Sequence, residues 1–236
     1  WKDIQELKSI ITSNKSFIPS GNYRSYGDSA FSDYIISCKN NDSIISFDKS
    51  EGLLTVEAGI TLSKILSIII PHGWFLGVTS GTKYSTLGGA IASDIHGKNH
   101  HINGCFSTYV SDIDLMLPNG AVVNLRKEDE LFKATCGGMG LTGVIISATI
   151  RLIKIKSTIV NQMIIKTNSL SETFEIFDKY SHERYSVAWF DSFSTGKNFG
   201  RSIIQIGDFA TEGDLKFKDE SVRFIPFKLF SYFLNK

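Results

Sequence analysis

Apolar residues at Ile4, Leu7, Ile10 and Ile11 recur at three- and four-residue steps and predict a helix within residues 1–14. Phe17-Ile18-Pro19-Ser20-Gly21 predicts a short strand that runs into a turn-rich segment. Residues 34–37, 43–47 and 53–58 predict further strands, the last of them followed by a helix over 61–70. Residues 110–117, Pro118-Asn119-Gly120 and residues 121–125 predict a hairpin, because Asn-Gly tolerates the positive φ of a tight turn. A short helix over 128–134 and a long apolar strand over 144–153 complete this stretch. The texture changes after Lys156, where strands over 159–165, 187–190 and 202–206 and a helix over 171–180 are expected. The pattern predicts a mixed α+β protein with one complete domain over 1–156 and the opening of another over 157–236.

Composition narrows the function classes. The chain has 236 residues, 42% hydrophobic and 21% charged, as expected of a soluble globular protein. A net charge of +1 gives no electrostatic reason to expect nucleic acid as a partner. The apolar stretches 65–70 and 141–150 are far shorter than the roughly 20 residues of a spanning helix. Residues 1–7 are amphipathic and charged, unlike a signal peptide, although the chain does not begin with Met. Cys38, Cys105 and Cys136 are odd in number and far apart, which argues against a disulfide framework and for a reducing compartment.

Glycine is the informative residue. Six of the twenty glycines fall within 77–104 and four within 137–143. Clustering the residue that loses most backbone entropy on folding points to sharp bends or close approach to a ligand, and outward amides in such turns cradle phosphate. Tight turns serving only the fold are the plainer alternative. Gly138-Met139-Gly140-Leu141-Thr142-Gly143 matches a dinucleotide fingerprint by letter, but residues 144–153 read as a strand where a helix is required. His96, His100 and His101 invite a metal, but Gly97 and Asn99 oppose a helix joining them and no carboxylate follows in the run. No metal site is expected.

Arg24-Ser25-Tyr26-Gly27-Asp28, Gly81-Thr82 with Thr86-Leu87-Gly88-Gly89-Ala90, and Asp94-Ile95-His96-Gly97-Lys98-Asn99-His100-His101 together resemble the vanillyl-alcohol-oxidase-like (PCMH-type) FAD-binding family. The last run resembles its decaprenylphosphoryl-ribose 2'-oxidase branch in particular. Leu131-Phe132, Ala148-Thr149-Ile150, Ala188-Trp189-Phe190-Asp191 and Gly200-Arg201 extend the likeness to about residue 215. The resemblance implies a two-subdomain FAD-binding domain followed by the start of an α+β substrate domain. It implies that Ser20, Gly21, Asn22, Tyr23, Arg24, Ser25, Tyr26, Gly27, Asp28 and Ser29 wrap the FAD diphosphate. Gly81, Thr82, Thr86, Leu87, Gly88 and Gly89 would contact the diphosphate and ribityl region, and Ser93, Asp94, Ile95, His96 and Asn99 would lie by the flavin. Gly143, Val144 and Ile145 would meet the adenine end, and His96 and Lys98 would line the pocket where a substrate hydroxyl faces the ring. Flavin-linking relatives carry a histidine in the first loop and some a cysteine near the second; Tyr23-Arg24-Ser25 and Thr82-Lys83-Tyr84 stand there, so noncovalent FAD is expected. Family members also continue for roughly as much chain again, including a catalytic lysine.

The activity implied is oxidation of a sugar hydroxyl by hydride transfer to flavin, on a polyprenyl-phosphoryl ribose, with a short-chain reductase as partner enzyme. A soluble sugar, lactone or alditol is the alternative substrate, and a non-catalytic flavin-binding subunit the alternative of another class. Lys98 reads equally as a solvated loop lysine, and His100 and His101 as structural. Phe224, Phe227, Phe230 and Phe233, beside Arg223, Lys228 and Lys236, read as core surface or as an amphipathic membrane contact. The expected location is the cytoplasm, or its membrane surface.

Overall fold

The structure is a computed structural model that describes residues 1, 3–13 and 16–217. Helix α1 (Ile4–Ile11) begins where the Asp3 carboxylate accepts from the amides of Gln5 and Glu6, both at 2.9 Å. Its buried Leu7 and Ile11 pack with Ile36, Cys38, Met116 and Val144 in a small core. Strands β1 (Ile18–Ser20) and β2 (Ile35–Ser37) pair in parallel, Ile18 with Ile35 and Ser20 with Ser37. A parallel pair needs a return connection of about a dozen residues or more, and residues 21–34 form it.

The main sheet follows. Strands β3 (Ile44–Asp48) and β4 (Leu53–Glu57) lead to α2 (Leu62–Ile69), capped by Thr61, whose Oγ1 accepts from Lys64 N at 3.2 Å. After β5 (Trp74–Leu76) come two short helices, α3 (Leu87–Ala92) and α4 (His100–Asn103). Strands β6 (Val110–Met116) and β7 (Val122–Arg126), helix α5 (Glu130–Thr135) and strand β8 (Val144–Lys154) complete this part. The sheet order is β3-β4-β8-β6-β7, with β5 added to the end of β8. Long β8 is the spine: it is antiparallel to β4 through 147–151, to β6 through 144–150 and to β5 through 152–154. Leu54, Val56, Ile65, Ile69, Ile113 and Leu115 are among the side chains buried between this sheet and α2 and α3. Each contributes about 1.5–3 kcal/mol by leaving water. The hairpin turn closes through Leu117 N to Ala121 O at 2.8 Å, with Gly120 at φ +78° as the Asn-Gly signal predicts.

Beyond residue 157 a separate three-stranded antiparallel sheet forms from β9 (Val160–Thr167), β10 (Tyr185–Phe190) and β11 (Ser202–Phe209), in the order β10-β11-β9, beside helix α6 (Leu170–Lys179). It meets the first part through Phe75 against Phe209, ring centroids 5.1 Å apart, and through Ser186 N donating to Lys98 O at 3.0 Å. His101 Nε2 lies 2.9 Å from Glu183 O.

The architecture is α+β, as the hydrophobic pattern predicts. The pattern missed β5, three residues long, and α3, which carries two glycines and is held by its cap. Its objection to a helix through Gly97 and Asn99 holds, since α4 starts only at His100. The aromatic series Phe224–Phe233 lies outside the described residues. Among the described residues no helix is long and apolar enough to cross a membrane.

Candidate functional site

A cavity of about 680 Å³ opens in the seam between the small parallel pair and the main sheet. That volume is within the range of sites that hold cofactors. Three glycine-bearing segments form its walls: 19–30 from the β1–β2 connection, 80–96 running through α3, and 139–145 leading into β8. Asn22 ties the first to the second, its Nδ2 donating to Tyr84 O at 2.9 Å, with the Arg24 guanidinium 5.7 Å from the Tyr84 ring centroid. The third is pinned to α3 by Gly137 N to Ile91 O at 3.0 Å and Met139 N to Ala92 O at 2.8 Å.

The chemistry of the lining suits a dinucleotide with a charged diphosphate. Among the described residues that line it there is no carboxylate, one arginine (Arg24) and one histidine (His96). Hydroxyls line it at Ser20, Ser25, Ser29, Ser80, Thr82, Ser85, Thr86 and Ser93. Among the described residues no backbone amide from Gly21 to Ser29 donates to a protein acceptor. Free amides in a turn-rich loop are the donors an anion requires. A Cβ on Gly21 would collide with Thr86 Oγ1, and one on Gly81 would meet nothing within 4 Å. The first glycine lets two walls touch, and the second leaves its share of the cradle open.

The structure brings most of the expected residues together. Ser20, Gly21, Asn22, Tyr23, Arg24, Ser25, Tyr26, Ser29, Gly81, Thr82, Thr86, Gly88, Gly89, Ser93, Ile95, His96, Gly143 and Ile145 all line this cavity. Six do not. Gly27 and Asp28 form the outer bend of the first loop, where Asp28 O accepts from Phe31 N. The side chains of Leu87 and Val144 are wholly buried in the two cores. Asn99 is buried, its Nδ2 donating to Gly77 O at 2.7 Å. Asp94 turns its carboxylate to Ser107, accepting from Ser107 N at 2.8 Å and Ser107 Oγ at 3.0 Å. Its backbone, at φ +38°, takes the left-handed position that closes α3, with Asp94 N donating to Ile91 O at 2.9 Å and Ile95 N to Ala90 O at 3.1 Å.

Sequence reasoning left Cys38, Ala58 and Ala92 out of the lining, and their composition carries no signal for it. Pro19 and Gly140 meet here because Gly140, at φ +83°, approaches the Pro19 ring. Burial pushes the Cys38 thiol up to about 11, against a smaller pull from the backbone at Ser20, so it stays protonated at neutral pH. Burial, reinforced by the Asp94 carboxylate, pushes Cys136 up to about 12.

Lys98 lies elsewhere. It lines a second cavity, of about 800 Å³, between α2, β5 and the three-stranded sheet. Leu66, Ile70, Phe75, Ile206 and Phe209 give this cavity an apolar wall, and Gln162, Tyr185, Gln205 and Lys216 add polar groups. Burial is the main cause that raises the Tyr185 phenol to about 12, leaving it a hydrogen-bond donor rather than a base. His96 and Lys98 therefore do not share one pocket. The cavities back onto each other: Ser80 and His96 face the first, Thr79 and Lys98 the second. Gly97 closes the partition, since a Cβ there would stand 2.7 Å from Thr79 O. Among the described residues no cluster of His, Cys, Asp and Glu has the makings of a metal site. His100 stacks edge-on against His96 at 5.5 Å.

Residues 1–126 match the FAD binding domain family. The chain is 37% identical over 203 residues to the decaprenylphosphoryl-beta-D-ribose oxidase of Mycolicibacterium smegmatis, covering 83% of this chain and 44% of that protein. It is 27% identical over 165 residues to the D-arabinono-1,4-lactone oxidase of Kluyveromyces lactis, 66% of this chain and 31% of the relative. A D-lactate dehydrogenase of Anaerostipes hadrus is 23% identical over 137 residues, 55% and 29% of the two chains. The chain thus spans less than half the length of these relatives.

Proposed function

The chain belongs to the FAD binding domain family, with FAD as its cofactor, and from that premise we propose that it is the flavin-holding part of an oxidoreductase that oxidises a hydroxyl of a polyprenyl-phosphoryl ribose. The observation that carries this reading is the first cavity: three glycine-bearing walls, unbonded amides from Gly21 to Ser29, and a lining without carboxylates. When bound, FAD supplies a two-electron acceptor for hydride. Residues Gly21 to Tyr26, with Gly81, Gly88 and Gly89, would hold its diphosphate and ribityl chain, Ser93, Ile95 and His96 its ring, and Gly143 and Ile145 its adenine end.

The His96 imidazole would hold a hydrogen bond to the reacting hydroxyl from the cofactor side of the partition. Lys98, on the far face of the partition, would lie along the path of the lipid rather than at the reacting hydroxyl, in a second cavity whose apolar wall suits a prenyl chain. With no histidine in the first loop, neither histidine nor cysteine at Thr82-Lys83-Tyr84 and the Cys38 thiol protonated, FAD would be held noncovalently, and acid precipitation would release it from the protein. On this reading the keto sugar passes to a separate reductase, and the work is done at the surface of the membrane that holds the lipid.

A second substrate class, the sugar lactones, is favoured by the likeness to the lactone oxidase. The test is a titration with FAD, read at the flavin visible band, followed by anaerobic addition of farnesylphosphoryl ribose, D-arabinono-1,4-lactone or free ribose to the protein that carries this chain. Bleaching by the lipid-linked sugar alone supports the proposal, and bleaching by the lactone moves the assignment to the second class. A bound flavin that no sugar bleaches overturns the enzymatic reading. A chain that refuses FAD at micromolar concentration overturns the site itself.

A further inference from the structure

Three non-glycine residues among those described hold a positive φ: Tyr23 at 51°, Asp94 at 38° and Met139 at 52°. All three lie at the first cavity. Tyr23 and Met139 line it, and Asp94 stands between the lining residues Ser93 and Ile95 without lining it itself. Such backbone is sparsely populated for side-chain-bearing residues and persists only where the surroundings over-determine it. Here Asp94 Oδ1 accepts from Ser107 N and Oδ2 from Ser107 Oγ. Next to it, Ile95 O accepts from Phe106 N at 2.9 Å, and His96 pairs with Cys105 in an isolated bridge. The strip 94–96 is thereby stitched along its length to 105–107. The far end of that stitch is the strained residue.

We infer that Asp94 is a positioning residue for the cofactor wall: backbone bonds from Asp94 N to Ile91 O and from Ile95 N to Ala90 O close α3 with Asp94 in the left-handed position, and its two carboxylate bonds to Ser107 fix where that turn presents Ser93, Ile95 and His96 to the cavity. The inference rests on the FAD reading of that cavity and adds to it a residue that acts without touching the cofactor. Release of the carboxylate unties this helix-closing turn from Ser107. The turn then shifts as a unit, and Ser93 and His96 leave their places together. Asparagine tolerates positive φ and offers both an acceptor and a group that can bond the Ser107 hydroxyl, so it can keep the posture. Alanine can do neither.

The experiment compares the wild-type chain with Asp94→Ala, Asp94→Asn and Ser107→Ala by FAD titration, the visible spectrum of bound flavin, and thermal melting. Asp94→Ala is expected to weaken FAD binding by roughly 10–100-fold, the scale of an ångström-sized misplacement, and to shift the flavin band. Asp94→Asn should restore both affinity and spectrum, and Ser107→Ala should fall between. A merely structural role would lower the melting temperature without moving the spectrum of the flavin that still binds. Wild-type affinity and spectrum in Asp94→Ala, or an asparagine variant as impaired as alanine, overturns the inference. If the alanine variant does not fold, Ser107→Ala decides: an unaltered affinity and spectrum overturn it. Failure of the wild-type chain to bind FAD at all would instead strike the cofactor assignment.

Discussion

The two sheets use apolar side chains in opposite ways. In the main sheet, residues such as Ile113 and Leu115 on β6 and Ala148 and Ile150 on β8 are buried to within 1%. The three-stranded sheet buries only Ile204 and Ile206 to that degree, and leaves Trp189 71% and Ile164 61% exposed. One sheet closes a core with its own helices, and the other rests on polar ties such as the Thr167, Thr173 and Ser202 hydroxyl cluster beside α6. The lesson is that hydrophobicity in the sequence does not locate the core. What matters is whether a second layer is there to meet it. Two of the three walls of the cofactor cavity, 80–96 and 139–145, stand on the closed side, which gives them a rigid footing.

Substitution can break this contrast. Ile113→Ala should cost about 2–5 kcal/mol, while Ile164→Ala, on the exposed part of β9, should stay within about 0.5 kcal/mol. Thermal melting of both variants checks this, and equal losses would mean that the second sheet is as well packed as the first. Next in size is a pair of glycines on the cavity. Gly21→Ala drives a methyl into Thr86 and should weaken FAD binding at least about tenfold, near 1.4 kcal/mol. Gly81→Ala should leave melting unchanged, since nothing stands near its Cβ, yet reduce FAD affinity because the ligand needs that space. The smallest effect belongs to Asp191, just past the end of β10. Hydrogen bonds from Ser194, then Arg201, lower its carboxyl to about 2. A depressed acid stabilises the fold above its unfolded value of about 3.9, and that help fades as pH falls toward about 2. The melting difference between wild type and Asp191→Asn should therefore be present at pH 6 and vanish between pH 4 and 2.

Much of this arrangement was legible in the sequence because local rules set it. The apolar spacing over 61–70 announced a helix, Asn119-Gly120 a hairpin, and the glycine clusters a convergence of loops. What was not legible depends on the side toward which a backbone turns. Leu87 and Val144 sit within two residues of glycines that line the cavity, yet point into the cores. Lys98 is two residues from His96, but the chain passes Thr79 at Gly97 and delivers the two side chains to opposite faces. Asp94 belongs to the most specific motif in the chain and is still spent on Ser107. Its partner is thirteen residues away, and no spacing rule predicts that bond.

The parallel pairing of β1 and β2 constrains how the cofactor loop can change. Because both strands run the same way, residues 21–34 must travel back past the strand they have just left before β2 can begin. No tight turn can replace that journey. Substitutions can alter the chemistry that this return path offers a ligand and still leave the pairing of β1 with β2 in place. Deletions have no such freedom, since a shorter path would pull β2 out of register with β1 before any ligand was affected.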